Sequence, residues 1–352
     1  MRHDRFDVCV VGGGPAGSAT ALCLARLGRR VALFEASGFE TPRYGGTLPP
    51  EITPLLRRLD MWEAFRATHA LESPGIVSRW GTAEAVEQDF VRNAHGCGWH
   101  VDRRRFDKMI WNCAGTAGVT CHAGVRVAHC RPDEDGWCAG GVRCRFLVDA
   151  SGKHGGTRGG GRRQTEDSLV AIAVRAQHPG RAPADLRTYI ESVPNGWWYS
   201  APVPGTQTVA MFFTDSVTYS GQGIVLGDEL HEASLTGARL AETRIVERAV
   251  LHAPSAILDE LAAGRWLAVG DHAACHDPLS GFGVFTSLRY AEAAAQAIHS
   301  LVEGDTSALD RYSGLVRREF REYSVRRAEF YAAETRWPAS GFWRRRAAAA
   351  SV

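Results

Sequence analysis

Residues 6–35 read Phe6-Asp7-Val8-Cys9-Val10-Val11, then Gly12-Gly13-Gly14-Pro15-Ala16-Gly17, an apolar run to Leu27, Gly28-Arg29-Arg30, and Val31-Ala32-Leu33-Phe34-Glu35. Two β-type runs flank a helical one, so the stretch is a βαβ unit carrying the G-x-G-x-x-G dinucleotide fingerprint. Gly12 permits the tight turn out of the first strand. Gly14 lets the backbone approach a pyrophosphate, and Gly17 lets the helix pack on the sheet. The helix opening at Pro15 and Ala16 aims free N–H groups and its positive dipole end at that pyrophosphate. Glu35 follows Gly17 by 18 residues, where a carboxylate accepts hydrogen bonds from both ribose hydroxyls, favouring FAD or NAD over NADP. Strand, turn, helix, strand and acid in this order distinguish the stretch from a chance glycine-rich turn.

The chain has 352 residues, 45% hydrophobic and 23% charged, which suits a globular protein with a substantial core. A net charge of +2 gives no electrostatic case for nucleic acid or a membrane surface. No apolar run is long enough for a membrane span. Nine cysteines without a C-x-x-C pair predict free thiols in a reducing cytoplasm. Lysine occurs only at Lys108 and Lys153. His95, His100 and His154 lack metal-ligand spacing, so no metal site is expected.

Beyond Glu35, residues 37–50 hold three glycines and three prolines, an irregular loop lying over the cofactor. Arg43 within it either meets phosphate or flavin or is a solvated loop arginine. Residues 51–70 have helical spacing, 75–80 and 87–92 are strand-like, and an amphipathic helix runs from Arg104 to about Ala114. Residues 119–130 and 141–149 alternate like strands, the second ending in Asp149-Ala150-Ser151-Gly152, which puts Asp149 and Gly152 at another edge of the cofactor pocket. Successive β runs over 168–216 predict an antiparallel sheet. Residues 223–250 look helical. Trp266 to Val269 is a short strand leading into Gly270-Asp271-His272 and on to Gly283; two helices follow, and the tail from Arg344 is expected to fray. The expected fold class is α/β: a Rossmann-type FAD-binding domain (1–72, 101–165 and 263–303) with an inserted antiparallel β-sheet substrate domain (73–100 and 166–262) and C-terminal helices (304–352).

Three separated segments make the chain resemble the FAD-dependent monooxygenases of the para-hydroxybenzoate hydroxylase type: Gly12-x-Gly14-x-x-Gly17 with Glu35, Asp149-Ala150-Ser151-Gly152, and Gly270-Asp271 followed by Asp277-Pro278 and Gly281-x-Gly283. The resemblance implies that Asp271 hydrogen-bonds a ribityl hydroxyl and that the 278–283 turn offers backbone N–H groups to the flavin. It also places an arginine such as Arg103 near the cofactor; a surface helix arginine is the alternative. The 43–50 loop and Gly196-Trp197-Trp198-Tyr199-Ser200-Ala201-Pro202 resemble the tryptophan-halogenase-like branch, and most closely its flavoproteins that oxidise protein-bound tryptophan in tryptophylquinone maturation. This chain departs from the branch in having Gly45-Gly46 where Gly-Glu is usual. It also has no lysine in residues 60–100, where the halogenases keep one.

The implied function is O2-dependent hydroxylation of an electron-rich aromatic, indole or phenol, free or carried on a peptide or protein, through a flavin C4a-hydroperoxide. Electrons come from NAD(P)H directly or as reduced flavin from a partner reductase. A flavin reductase that saturates alkenes, a halogenase, and a maturation partner that binds a client protein are the alternatives. Trp197, Trp198 and Tyr199 are candidates for the pocket roof, or else core aromatics of the sheet. His272 and His276 are candidate acid–base groups, or fill the turn. Cys275 between them is expected to be an inert buried thiol.

Overall fold

The structure, a computed structural model, describes residues 5–153, 155–157, 161–180, 183–222 and 226–349; His154 lies outside them. The opening unit sits at the middle of a parallel sheet. Its strands run in the order Trp266–Ala268, Val142–Asp149, Arg5–Val11, Val31–Glu35, Thr120–Ala123. The Val31–Glu35 strand is buried at every position, as a parallel strand covered on both faces must be. Helices Pro15–Arg26, Arg103–Thr116 and Gly283–Val302 pack together against this sheet, and the largest apolar core surrounds it.

The second sheet has seven strands, ordered Arg244–His252, Leu169–Gln177, Gln207–Asp215, Gly196–Val203, Thr188–Val193, Gly75–Arg79, Val86–Asp89. Its pairs are antiparallel except for Thr188–Val193 with Gly75–Arg79. Strand alternation sorts the aromatic run between the two faces. Trp197 and Tyr199 share one face with Met211 and Phe213; Trp198 lies on the other with Phe212. The expected α/β class with an antiparallel sheet and C-terminal helices is the one observed.

Three local readings change. Residues 51–70 hold two short helices, Ile52–Arg58 and Trp62–Arg66, separated at Asp60, which sits at φ 47°; aspartate is among the few residues that tolerate that conformation. Instead of one helix over 223–250, the described part holds Leu226–His231, Ser234–Leu240 and the edge strand Arg244–His252. Ile245, Val246 and Val250 favour a pleated surface over a helix turn. The tail does not fray at Arg344: Gly341–Ala349 is a helix whose Phe342 and Trp343 are buried and whose Arg345 pairs with Asp215. Among the described residues no helix is long and apolar enough to cross a membrane.

Candidate active site

Strands Arg5–Val11, Val31–Glu35 and Val142–Asp149 end side by side, with Val11 opposite both Phe34 and Asp149. Beyond these ends lies a cleft of about 830 Å³, walled on its far side by the antiparallel sheet. Gly12, Gly14, Pro15, Ala16 and Glu35 line it from the first unit. Gly152, Asp271, Pro278, Gly281 and Gly283 line it from later segments, and Arg43 and Arg103 from the loop and helix between. Helices Pro15–Arg26 and Gly283–Val302 both start at this cleft, and neither has a side chain capping its N-terminus. Two sets of unsatisfied N–H groups and two positive dipole ends therefore face one cavity.

The glycines separate into two kinds. A Cβ on Gly12, whose φ is +108°, would lie 2.2 Å from Ala150 O, and one on Gly17 would lie 1.9 Å from Gly12 O. Packing of the protein on itself demands both. Gly14 is different: its backbone is extended (φ −69°, ψ −176°), and the nearest atom to an added Cβ is Arg43 Nη1 at 3.6 Å. Gly283 meets nothing within 4 Å. Both leave open cleft where a side chain would fit, and that is the space a pyrophosphate and a flavin edge need. The residues present fit FAD.

The acids divide similarly. Glu35 keeps its carboxylate at the cleft, with Oε2 accepting from Gly13 N at 2.8 Å and Oε1 from Ser37 N at 2.9 Å. Asp271 is exposed to the cleft. Asp149 does not line it: Oδ1 accepts from the backbone and hydroxyl of Ser151, and Oδ2 from the backbone and hydroxyl of Thr157. Fully buried, it pins the loop that carries Gly152. His272 joins this pin, its Nε2 3.4 Å from Asp149 Oδ2, and lines a separate cavity of about 450 Å³. Burial lowers its basicity, partly offset by Asp149.

Asp107, which the sequence reading missed, holds the two arginines. Arg43 Nη1 donates to Oδ2 at 2.7 Å, and Arg103 Nε donates to Oδ1 at 3.0 Å. Arg103 also reaches Gly45 O. The i,i+4 spacing of Arg103 and Asp107 on a helix was the available signal.

Ala171, Tyr199, Met211, Phe213 and Leu251 form the sheet side of the cleft. The Tyr199 hydroxyl lies 2.6 Å from Thr47 Oγ1, which lies 3.0 Å from His100 Nδ1. His100 Nε2 donates to Leu186 O at 2.7 Å, which sets the tautomer with Nδ1 as acceptor. Burial pushes His100 down to about 4, so it is neutral. His276 lines the cleft against Tyr323 and Phe320 and is likewise pushed down to about 4 by burial. Trp197 does not line the cleft; it stacks behind Phe213 with ring centroids 4.0 Å apart. Cys275 donates to Asp271 O, and burial pushes its thiol up to about 12. Lys153 lies on the cleft wall and donates to His252 O.

Known proteins are similar to this chain in sequence and fold. The LodB protein of Marinomonas mediterranea is 27% identical, over 97% of both chains. The myxobacterial chondrochloren halogenase CndH superposes with a TM-score of 0.89 at 23% identity, covering 97% of this chain and 86% of that one. The peptidyl tryptophan dihydroxylase QhpG, essential for tryptophylquinone cofactor biogenesis, superposes at 0.80 and 23% identity, covering 97% and 79%. The two superpositions establish the fold. The family model described as FAD binding domain matches residues 5–328, and with the glycine cradle and twin helix ends in place, the chain belongs to this FAD-binding family of oxidoreductases.

Proposed function

We propose that the chain is a monooxygenase that adds oxygen to an electron-rich aromatic ring, an indole or phenol, presented on a peptide or protein. The observation that carries this reading is the wall facing the glycine turns, where Tyr199, Met211 and Phe213 make an apolar, aromatic surface with one fixed hydroxyl. Such a wall excludes water and stacks flat rings. Bound FAD, reduced and met by O2, supplies the oxygen-transfer chemistry. Electrons arrive from NAD(P)H directly or as reduced flavin from a partner reductase.

The chain's own residues bind and orient. The N–H groups at the starts of Pro15–Arg26 and Gly283–Val302 hold the pyrophosphate and the flavin edge. Glu35, fixed by Gly13 and Ser37, takes the ribose hydroxyls, and Asp271 takes a ribityl hydroxyl. Neutral His100 accepts the Thr47 proton at Nδ1, so Thr47 Oγ1 accepts from Tyr199. The Tyr199 hydrogen is then committed to Thr47, and the backbone N–H groups of Gly46 and Thr47 approach its oxygen, so the phenol is held in one orientation on the cleft wall. QhpG, whose name describes action on peptidyl tryptophan, supports the choice of substrate.

Halogenation is a second reading, favoured by Lys153 on the cleft wall and by the likeness to CndH. The test is to load the protein with FAD, reduce it chemically, and admit air with short peptides containing tryptophan or tyrosine. Mass spectrometry is expected to show an added oxygen on the aromatic residue. Unchanged peptides and unchanged free aromatics would overturn the reading.

A further inference from the structure

Behind the sheet wall, aromatic rings form a series leading away from the cleft. Phe213 on the wall stacks on Trp197 at 4.0 Å with planes 17° apart. Trp80 lies 6.2 Å from Trp197, Trp343 lies 5.3 Å from Trp80, and Trp337 lies 5.9 Å from Trp343. Tyr331 stands among them, 5.8 Å from Trp80 and 6.0 Å from Trp343. Trp197 and Trp343 are buried, whereas Trp80 and Trp337 are partly exposed. The series therefore starts one ring behind the cleft and ends at solvent.

Core packing explains why apolar rings gather. It does not call for the polar line threaded through them. Trp197 Nε1 donates to the Tyr331 hydroxyl at 3.0 Å, and that hydroxyl donates to Asp277 Oδ2 at 2.8 Å. Asp277 is buried, and its Oδ1 accepts from Leu279 N. A phenol gives up an electron readily only when its proton has somewhere to go, and here a carboxylate waits at hydrogen-bond distance. Indole and phenol are also the ring side chains most easily oxidised by one electron, and four of the chain's ten tryptophans lie in this one series.

We propose that Trp197, Tyr331, Trp80, Trp343 and Trp337 form a path that carries a one-electron oxidising equivalent from the cleft to the surface. The inference rests on the reading that FAD meets O2 in this cleft. The oxidant is an oxygen-centred radical, formed when a peroxide O–O bond breaks homolytically in the cleft with no substrate in place; one electron and a proton from water turn it into an O–H group. The radical takes that electron from Trp197. Tyr331 returns an electron to Trp197 as its O–H bond breaks and the proton passes to Asp277 Oδ2. Trp80 or Trp343 then re-reduces Tyr331, which recovers that proton. The oxidised site ends at Trp80 or Trp337, where a solvent thiol gives up one electron and loses its proton to water. Two such thiyl radicals pair as a disulfide. The net change is one electron from each thiol to the oxidant, with every residue of the path restored. The path spares Tyr199 and Met211 on the cleft wall, which would otherwise be oxidised.

Blue light turns bound flavin into a one-electron oxidant in the same cleft, so the path can be tested without turnover. In the FAD-loaded protein, transient absorption is expected to show tryptophan and tyrosine radicals that return slowly. Trp197→Phe cuts their yield several-fold. Trp80→Phe keeps the yield but shortens the lifetime several-fold, and Tyr331→Phe removes the tyrosine signal and slows the transfer from Trp197 to Trp80, which must then cross 6.2 Å directly. Identical decays in the parent, Trp197→Phe and Trp80→Phe proteins would overturn the path while leaving the FAD reading intact. Failure of the parent protein to retain FAD would overturn both.

Discussion

Arg43 Nη1 lies 2.7 Å from Asp107 Oδ2, tying the glycine- and proline-rich loop to the helix Arg103–Thr116 beside the cleft. Asp107 is fully buried and also holds Arg103. Removing it strands two guanidinium groups, so Asp107→Ala is expected to cost about 2 kcal/mol of stability. It should also weaken FAD retention. Chemical denaturation and a flavin fluorescence titration read the two effects separately.

The glycines make a sharper test. Gly14→Ala adds a methyl group that no protein atom opposes. The apoprotein should melt unchanged, while FAD weakens by about tenfold, roughly 1.4 kcal/mol. Gly17→Ala drives a methyl group into Gly12 O, so the apoprotein itself loses about 1–3 kcal/mol. Melting curves with and without FAD distinguish the pair; equal apoprotein losses would contradict the assignment of Gly14 to the cofactor.

His100 predicts an acid limb of stability. Burial holds its folded pKa at about 4, below the ordinary histidine value of about 6.5. The unfolded chain therefore binds the proton first. The contribution is complete above pH ~6.5, falls as pH drops toward about 4, and is gone below that. Over this window the single group accounts for roughly 3 kcal/mol at most. His100→Gln should flatten the limb in urea melts between pH 7 and 4. His276, lowered in the same direction, leaves part of the slope behind.

The C-terminal helix belongs to the antiparallel sheet. Trp343 is buried and its Nε1 donates to Val193 O at 3.0 Å, while Arg345 and Arg346 pair with Asp215. Trp343→Ala should cost about 3–5 kcal/mol, seen as a lower melting temperature. If truncation after residue 340 left that temperature unchanged, this packing would be refuted.

The cleft's nearer half was legible because its reasons are local. Turn, helix start and strand-end acid follow one another in a single βαβ unit, and Gly12, Gly14, Glu35, Asp271 and Gly283 all line the same cavity. Its other half depends on contacts between distant segments. Thr47, His100 and Tyr199 meet only because Thr47–Leu48 pairs with Gly98–His100 beside the sheet, and no spacing in the sequence encodes that. The sequence puts Asp149 at the pocket edge, yet its oxygens are consumed by Ser151 and Thr157. Motif position locates a carboxylate; which partners reach it first depends on the loop's path. Trp197 illustrates the same limit. Strand alternation places it on Tyr199's face, but only the assembled sheet shows Phe213 standing between it and the cleft.

The most direct measurement is isotopic. FAD-loaded, reduced protein is mixed with a tryptophan-containing peptide under 18O2 in the presence of bromide, and the product is weighed intact and fragmented. The account predicts 18O on the indole ring and no bromine. A brominated ring without heavy oxygen would contradict it.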